Sequence, residues 1–259
     1  MQMAGNTILI TGGSSGIGRA LAEAFHKLGN QVIIAGRRKA LLDSVTAQNP
    51  GMKSAVLDVQ DSAKLNDFTA QIAEDFPSLN ALINNAGIMR PENLNRMPAD
   101  LTDSEAIIET NLVAPIRLTA SLLPLLKKQP RSTIMTVSSG LAFLPMAMTP
   151  TYCATKAAIH SYTQSLRYQL KDTAVEVLEL VPPYVATELM GARQANDPRA
   201  MPLAEFIVEV MEILRTQPEA KEICVKRVYP LWFAAQQGQA KYEEQFLGFN
   251  NSVAAAASV

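Results

Sequence analysis

The chain has 259 residues, 48% of them apolar and 18% charged, so it can bury roughly three quarters of its unfolded surface and is too apolar to be disordered. Lys plus Arg (23) nearly balances Asp plus Glu (24), which leaves no one-sign field to draw in nucleic acid or an anionic membrane. Cys153 and Cys224 stand far apart without metal-ligand spacing, the N-terminus lacks a basic-then-apolar leader, and no uninterrupted apolar run reaches the ~18 residues of a membrane span; a cytoplasmic protein without metal is expected.

Thr7 to Thr11 is a β-branched, apolar run that reads as a strand, and Ile17, Leu21, Ala24, Phe25 and Leu28 follow at helical spacing. Between them lies Thr11-Gly12-Gly13-Ser14-Ser15-Gly16-Ile17-Gly18. A strand-to-helix turn of this composition suits a diphosphate, because glycines let the backbone approach and the helix N-terminus offers unpaired amides. Gly29-Asn30 stops the helix, since either residue tolerates the left-handed conformation, and Gln31 to Ala35 is the second strand.

That strand runs into Gly36-Arg37-Arg38-Lys39, where a site for NAD would carry a carboxylate for the ribose hydroxyls. Cations there suit a 2′-phosphate, which a guanidinium grips bidentately, so NADP(H) is expected in preference to NAD(H). Arg37, nearest the strand end, is favoured for this contact; Arg38 and Lys39 fit a solvated charge run equally well.

Strands are expected at Ser54 to Leu57, Ala81 to Asn84, Thr133 to Ser138, Val175 to Val181 and Glu222 to Lys226, with helices in the gaps. Apolar, unalternating strands separated by helices predict a Rossmann-type, doubly wound parallel sheet of about seven strands, covered on both faces. Residues 1–259 read as a single domain with substrate-side loops at 88–101 and 184–202. The aromatic segment 229–250 covers either the pocket, an interface or the core, and the Ala-rich end from Val253 to Val259 reads as a frayed tail.

Tyr152 and Lys156 are four apart on a helix expected from Tyr152 through Leu170, so they share a face. A nearby ammonium favours the phenolate, and the same phenol can protonate a carbonyl oxygen in the reducing direction. Ser139 ends the preceding strand on the side where open α/β sheets bind ligands, and its hydroxyl can orient the substrate oxygen. Strand alternation sends Ser138 the other way.

The glycine loop, Asn84-Asn85-Ala86-Gly87, Ser139, Tyr152-x-x-x-Lys156 and Pro182, in this order over residues 6 to about 190, resemble the short-chain dehydrogenase/reductase family. The double proline Pro182-Pro183, the Ser138 to Phe143 stretch and Leu166 to Asp172 look closer to its DltE-like branch, a name that carries no substrate. The resemblance implies hydride transfer between a carbonyl and an alcohol. It makes Asn111, Ser139, Tyr152 and Lys156 a catalytic tetrad, in which Asn111 holds a water through backbone distortion and passes protons toward Lys156. Without the family, Asn111 would be an ordinary helix-surface residue.

The implied cofactor contacts are Gly12, Ser14, Ser15, Gly16, Ile17, Gly18, Arg37, Arg38, Asp58, Val59, Asn85, Ala86, Gly87, Tyr152, Lys156, Pro182, Val185 and Thr187. Asp58 would meet the adenine ring, though a capping role explains it almost as well. Pro183, where the family usually has Gly, stiffens the loop beside the nicotinamide. Leu141, Phe143, Leu144, Met146, Met148, Tyr184, Leu189 and Met190 either line an apolar substrate pocket or pack against the helix. The helices at Thr102 to Lys128 and Thr151 to Lys171 resemble those that pair across a two-fold axis, implying a homodimer or homotetramer. The competing class is an NADP(H)-binding redox sensor without turnover.

Overall fold

The computed structural model describes residues 1–95 and 100–257. Residues 96–99 of the expected loop 88–101, and 258–259 of the Ala-rich end, lie outside the described residues.

Seven parallel strands form the sheet: β1 (Thr7–Thr11), β2 (Gln31–Gly36), β3 (Lys53–Val56), β4 (Ala81–Asn84), β5 (Ser132–Val137), β6 (Val175–Val181) and β7 (Glu222–Cys224), in spatial order 3-2-1-4-5-6-7. Several expected bounds shift: β2 runs on to Gly36, β3 ends at Val56 rather than Leu57, and β5 spans Ser132–Val137 rather than Thr133–Ser138. The third strand starts at Lys53 rather than Ser54, and the last ends at Cys224, because Val225 leads directly into a turn of 3₁₀ helix over Lys226–Val228.

Strand alternation explains how one apolar run fills two layers. Ile8 and Ile10 face one side, with Val32 and Ile34, beneath α1 (Gly16–Lys27), α2 (Lys39–Gln48) and α8 (Leu203–Thr216). Leu9, Ile33, Leu82 and Ile134 face the other, beneath α3 (Ser62–Asp75), α5 (Ala114–Leu126) and α6 (Pro150–Gln169). The remaining helices are α4 (Thr102–Ile108), α7 (Ala192–Ala195), α9 (Tyr229–Trp232) and α10 (Gln239–Ala257). Strand order reverses between β1 and β4, and the crevice at such a switch point is where ligands of this architecture sit.

Helix α1 ends on Gly29 at φ 82°, the left-handed residue anticipated there. Asn30 contributes differently. Its buried side chain donates to Phe25 O at 2.8 Å and accepts from Asn6 N at 2.9 Å, tying the helix end to the start of β1.

Helices α4 and α5 are one continuous run, Thr102–Leu126, joined by a π turn over Glu109–Val113. Among the described residues this run alone is long and apolar enough, by length and composition, to cross a membrane. Asp103, Glu105, Glu109 and Arg117 interrupt it, and the burial of Leu118, Leu122 and Leu126 under the sheet accounts for its apolar side chains.

The expectation of a frayed Ala-rich tail is corrected as far as Ala257, because α10 continues to that residue. Asn250 accepts from Ala147 N at 2.6 Å and donates to Pro145 O at 3.1 Å, while Arg193 donates to Ala256 O at 2.9 Å. These bonds dock the helix, which overrides the weak end-signal of an alanine run.

Candidate active site

A cleft of about 390 Å³ opens at the carboxyl ends of β1, β4, β5 and β6. Its floor is the turn after β1. Gly12 and Gly16 have φ of 68° and 53°, a conformation that side chains other than glycine rarely adopt. Among the described residues no side chain caps α1 and no carboxylate stands in its first turn, so the amides of that N-terminus are left for a ligand. The glycine floor and free amides fit a nicotinamide dinucleotide's diphosphate.

Of the residues expected to touch the cofactor, Gly12, Ser14, Ser15, Gly16, Ile17, Arg37, Arg38, Asp58, Val59, Asn85, Ala86, Gly87, Tyr152, Lys156, Pro182, Val185 and Thr187 all line this cleft. Gly18 does not. A Cβ there would lie 2.3 Å from Asn85 Nδ2 and 2.4 Å from Gly12 O, so its smallness lets α1 pack against the loop. Asn85 in turn donates to Thr11 O at 2.9 Å, and Thr11 Oγ1 accepts from the amides of Asn85 and Ala86 at 3.0 Å each. The Asn-Asn-Ala-Gly turn is thereby bolted to the end of β1.

The arginines divide the rim. Arg38 donates to Ser15 Oγ at 2.7 Å and Ser14 Oγ at 3.3 Å, so it lies on the glycine loop and is no solvated bystander. Arg37 approaches Asp58 at 4.0 Å, both more than one-third exposed. Lys39 instead pairs with Asp43 at 2.6 Å. Asp58 does not cap α3. Asp61 does, accepting from Lys64 N, while Asp58 Oδ1 closes a short turn with Gln60 N.

At the opposite end of the cleft, helix α6 presents Tyr152 and Lys156 one turn apart, both buried. Lys156 Nζ donates to Val137 O at 2.8 Å and lies 5.6 Å from the centre of the Tyr152 ring. Burial lowers the lysine to about 8, against an opposing pull from Glu179. Burial also pushes the Tyr152 phenol well above its ordinary value, although a hydrogen bond with the Ser139 side chain works in the other direction. The expectation of a lysine-lowered phenol is therefore not met by the protein's own groups, because removing the ring from water outweighs what surrounds it.

Ser139 leaves β5 toward Tyr152 and also accepts from Leu141 N at 3.1 Å. Ser138 turns away and donates to Leu180 O at 3.4 Å, as alternation requires.

Asn111 sits in the π turn and is 2% exposed, so it is no surface residue. Its side chain does not line the cleft. Oδ1 accepts from Ile88 N at 2.9 Å, and Nδ2 donates to Ile88 O at 2.9 Å and Thr155 Oγ1 at 3.3 Å. It thus pins the loop after Gly87 to α6.

The apolar candidates separate. Leu189 lines the cleft, and Leu141, Met146 and Met190 pack on the cluster of Met89, Ile107, Tyr152 and Cys153. Phe143 instead packs on His160 and Trp232 at 4.7 and 4.4 Å, and Leu144 is fully buried. In the C-terminal segment, Val228 and Leu231 pack on Gly140, so this part backs the Ser139 turn and does not lid the pocket.

Sequence reasoning missed Gln194, which lines the cleft and is buried on α7. Its Nε2 donates to Val185 O at 2.8 Å and Thr187 Oγ1 at 3.2 Å, while Oε1 accepts from Met190 N at 3.0 Å. Also missed was Glu92, which accepts from Thr151 N, Thr151 Oγ1 and Ser104 Oγ at 2.9, 2.7 and 2.7 Å and so anchors the start of α6. Neither carries a local signal, since each acts on backbone brought to it by the fold.

Residues 6–198 match the family model for short chain dehydrogenases. The "uncharacterized oxidoreductase DltE" of Bacillus subtilis is 46% identical over 189 residues, 73% of this chain and 75% of that protein. A short-chain dehydrogenase from Sphingobium yanoikuyae, solved in complex with NADPH, superposes with a TM-score of 0.76 at 26% identity, covering 90% of this chain and 94% of that one. One from Burkholderia cenocepacia, in complex with NADP, reaches a TM-score of 0.80 over 95% of this chain and 99% of that one; at 22% identity it bears on the fold alone. The chain belongs to the short-chain dehydrogenase family, in a DltE-like branch, and is an oxidoreductase acting on CH–OH and C=O groups with a nicotinamide dinucleotide.

Proposed function

We propose that this protein interconverts a carbonyl and an alcohol with NADP(H) in preference to NAD(H), using Tyr152 as the acid and base. The observation that carries the reading is that Tyr152, Ser139 and Lys156 line one cleft together with the glycine loop, Arg37 and Arg38. The bound cofactor supplies or accepts the hydride. Ser139 holds the substrate oxygen, and the Tyr152 hydroxyl delivers its proton to that oxygen in reduction and takes it back in oxidation. A neutral phenol suits the reducing direction, where the tyrosine must arrive protonated. Lys156 lends positive charge to the phenolate that forms, and the backbone of the π turn at Asn111 carries the proton relay toward it in this reading.

A sensor without turnover has no use for a buried lysine beside a buried phenol, so the enzyme is favoured over that reading. NADP(H) is supported by Arg37, which is exposed at the rim with only a 4.0 Å approach to Asp58, and by Arg38 on the loop serines. An assembly of two or four copies through the outer faces of α4, α5 and α6 completes the proposal, and sedimentation velocity checks it.

The test is transfer of deuterium from 4-deuterated NADPH to the carbinol carbon across a panel of ketones and aldehydes, read by mass spectrometry. Label in the alcohol product supports the reading; NADPH binding with no label transferred to any substrate refutes it. Arg37→Asp is expected to weaken NADPH far more than NADH, and equal losses place the 2′-phosphate elsewhere.

A further inference from the structure

Glu179 is fully buried in the middle of β6, where an ionised carboxylate needs a proton or a cation. Its Oε2 lies 2.7 Å from His160 Nδ1, and its Oε1 is buried with no hydrogen-bond partner among the described residues. The two side chains share one short hydrogen bond. His160 is one turn of α6 beyond Lys156 and its side chain is 19% exposed, between Phe143 and Trp232.

The neighbouring charges leave few partners for this carboxylate. Across the sheet, Glu179 registers with Thr136 on β5, which does not titrate, and with Glu222 on β7. Glu222 is matched by Arg167 at 2.7 Å, and that guanidinium also donates to Val177 O. The Cys224 thiol on β7 is pushed up to about 12, first by burial and then by Glu179 and Glu222. On α6 the basic side chains on this face are His160 and Lys156, and the field of the carboxylate opposes the loss of the lysine's proton.

We propose that Glu179 and His160 form a buried acid–base pair one helical turn behind Lys156 that keeps the lysine ammonium charged, acting as positioning residues for the carbonyl chemistry proposed above. His160 holds the Glu179 side chain at 2.7 Å, and Lys156 Nζ bonds the carbonyl of Val137, which pairs with Leu180, the residue after Glu179 on β6. Tyr152, on the other side of Lys156, is the group this charge serves.

The experiment follows the lysine directly, on protein labelled with ¹³C at lysine Cε, with the Lys156 signal assigned by its loss in Lys156→Met. The wild-type signal is expected to titrate near pH 8. In Glu179→Gln the midpoint moves at least one unit lower, about a tenfold smaller charged fraction at a given pH above it. His160→Leu, which strips the carboxylate of its donor, moves it the same way, while His160→Gln, which keeps a donor, restores it. The alkaline limb of carbonyl reduction moves with the signal. A midpoint unchanged in folded Glu179→Gln or His160→Leu overturns the proposal, as does a wild-type midpoint above pH 10. Because the titration needs no turnover, a protein inert toward every carbonyl sinks the functional reading while leaving this pair separately tested.

Discussion

Replacing Lys156 by methionine should stabilise the protein while abolishing its chemistry. The lysine is lowered from 10.5 to about 8, so the unfolded chain holds that proton more tightly than the folded one. The sign follows from linkage. Below pH 8 the folded state carries the whole penalty of a buried ammonium, and the penalty fades as pH rises from 8 to 10.5. At about 1.4 kcal/mol per unit the penalty is roughly 3 kcal/mol, from which about 1 kcal/mol is subtracted for leaving the Val137 carbonyl without its donor. The net gain of about 2 kcal/mol corresponds to about 4 °C in Tm for a chain of 259 residues. Methionine is close in volume and flexible enough to fill the site. Calorimetric scans at pH 7 and pH 10 check this, with the variant ahead at pH 7 and the gap closing by pH 10. A variant that melts at or below the wild type at pH 7, or a gap that does not narrow with pH, refutes the reasoning.

Other sites respond in distinguishable ways. Gly18→Ala should cost about 1–3 kcal/mol, because its Cβ meets backbone Gly12 O at 2.4 Å as well as Asn85, and urea unfolding will show a lower midpoint at unchanged slope. Gln194→Ala removes three hydrogen bonds that shape the loop at Val185 and Thr187, and about tenfold weaker NADPH binding by fluorescence titration is expected, with stability lowered by about 1–3 kcal/mol. Burial would raise the Glu92 carboxyl, but hydrogen bonds from Thr151 and Ser104 outweigh it and hold the group below 4.5. Its contribution is therefore present above pH 4.5 and lost as pH falls through the lowered value, so wild type and Glu92→Gln should converge in stability toward pH 3.

The strands were legible because β-branched apolar runs punctuated by glycine admit few other readings, and Ser139 because alternation at the end of β5 leaves one serine facing the helix. Spacing also delivered Tyr152 and Lys156, which helical geometry puts on one face whatever surrounds them. Long-range interactions were hidden. Gly18 looked like a ligand residue and is a packing residue, since its constraint comes from Asn85, which is remote in sequence. The alanine run near the end reads as a weak terminus, but Asn250 and Arg193 hold the helix through backbone partners that no local pattern reveals. The direction of the Tyr152 shift was equally out of reach, because it depends on how thoroughly α6 and the Ser139 turn exclude water.

The central claim is that the Tyr152 hydroxyl moves the proton while hydride crosses to carbon. Single-turnover carbonyl reduction should be measured in Tyr152→Phe alongside its dissociation constant for NADPH. A fall of about 10³-fold or more in rate, with NADPH affinity nearly unchanged, is the expected result. Turnover close to that of the wild type in the phenylalanine variant would contradict it.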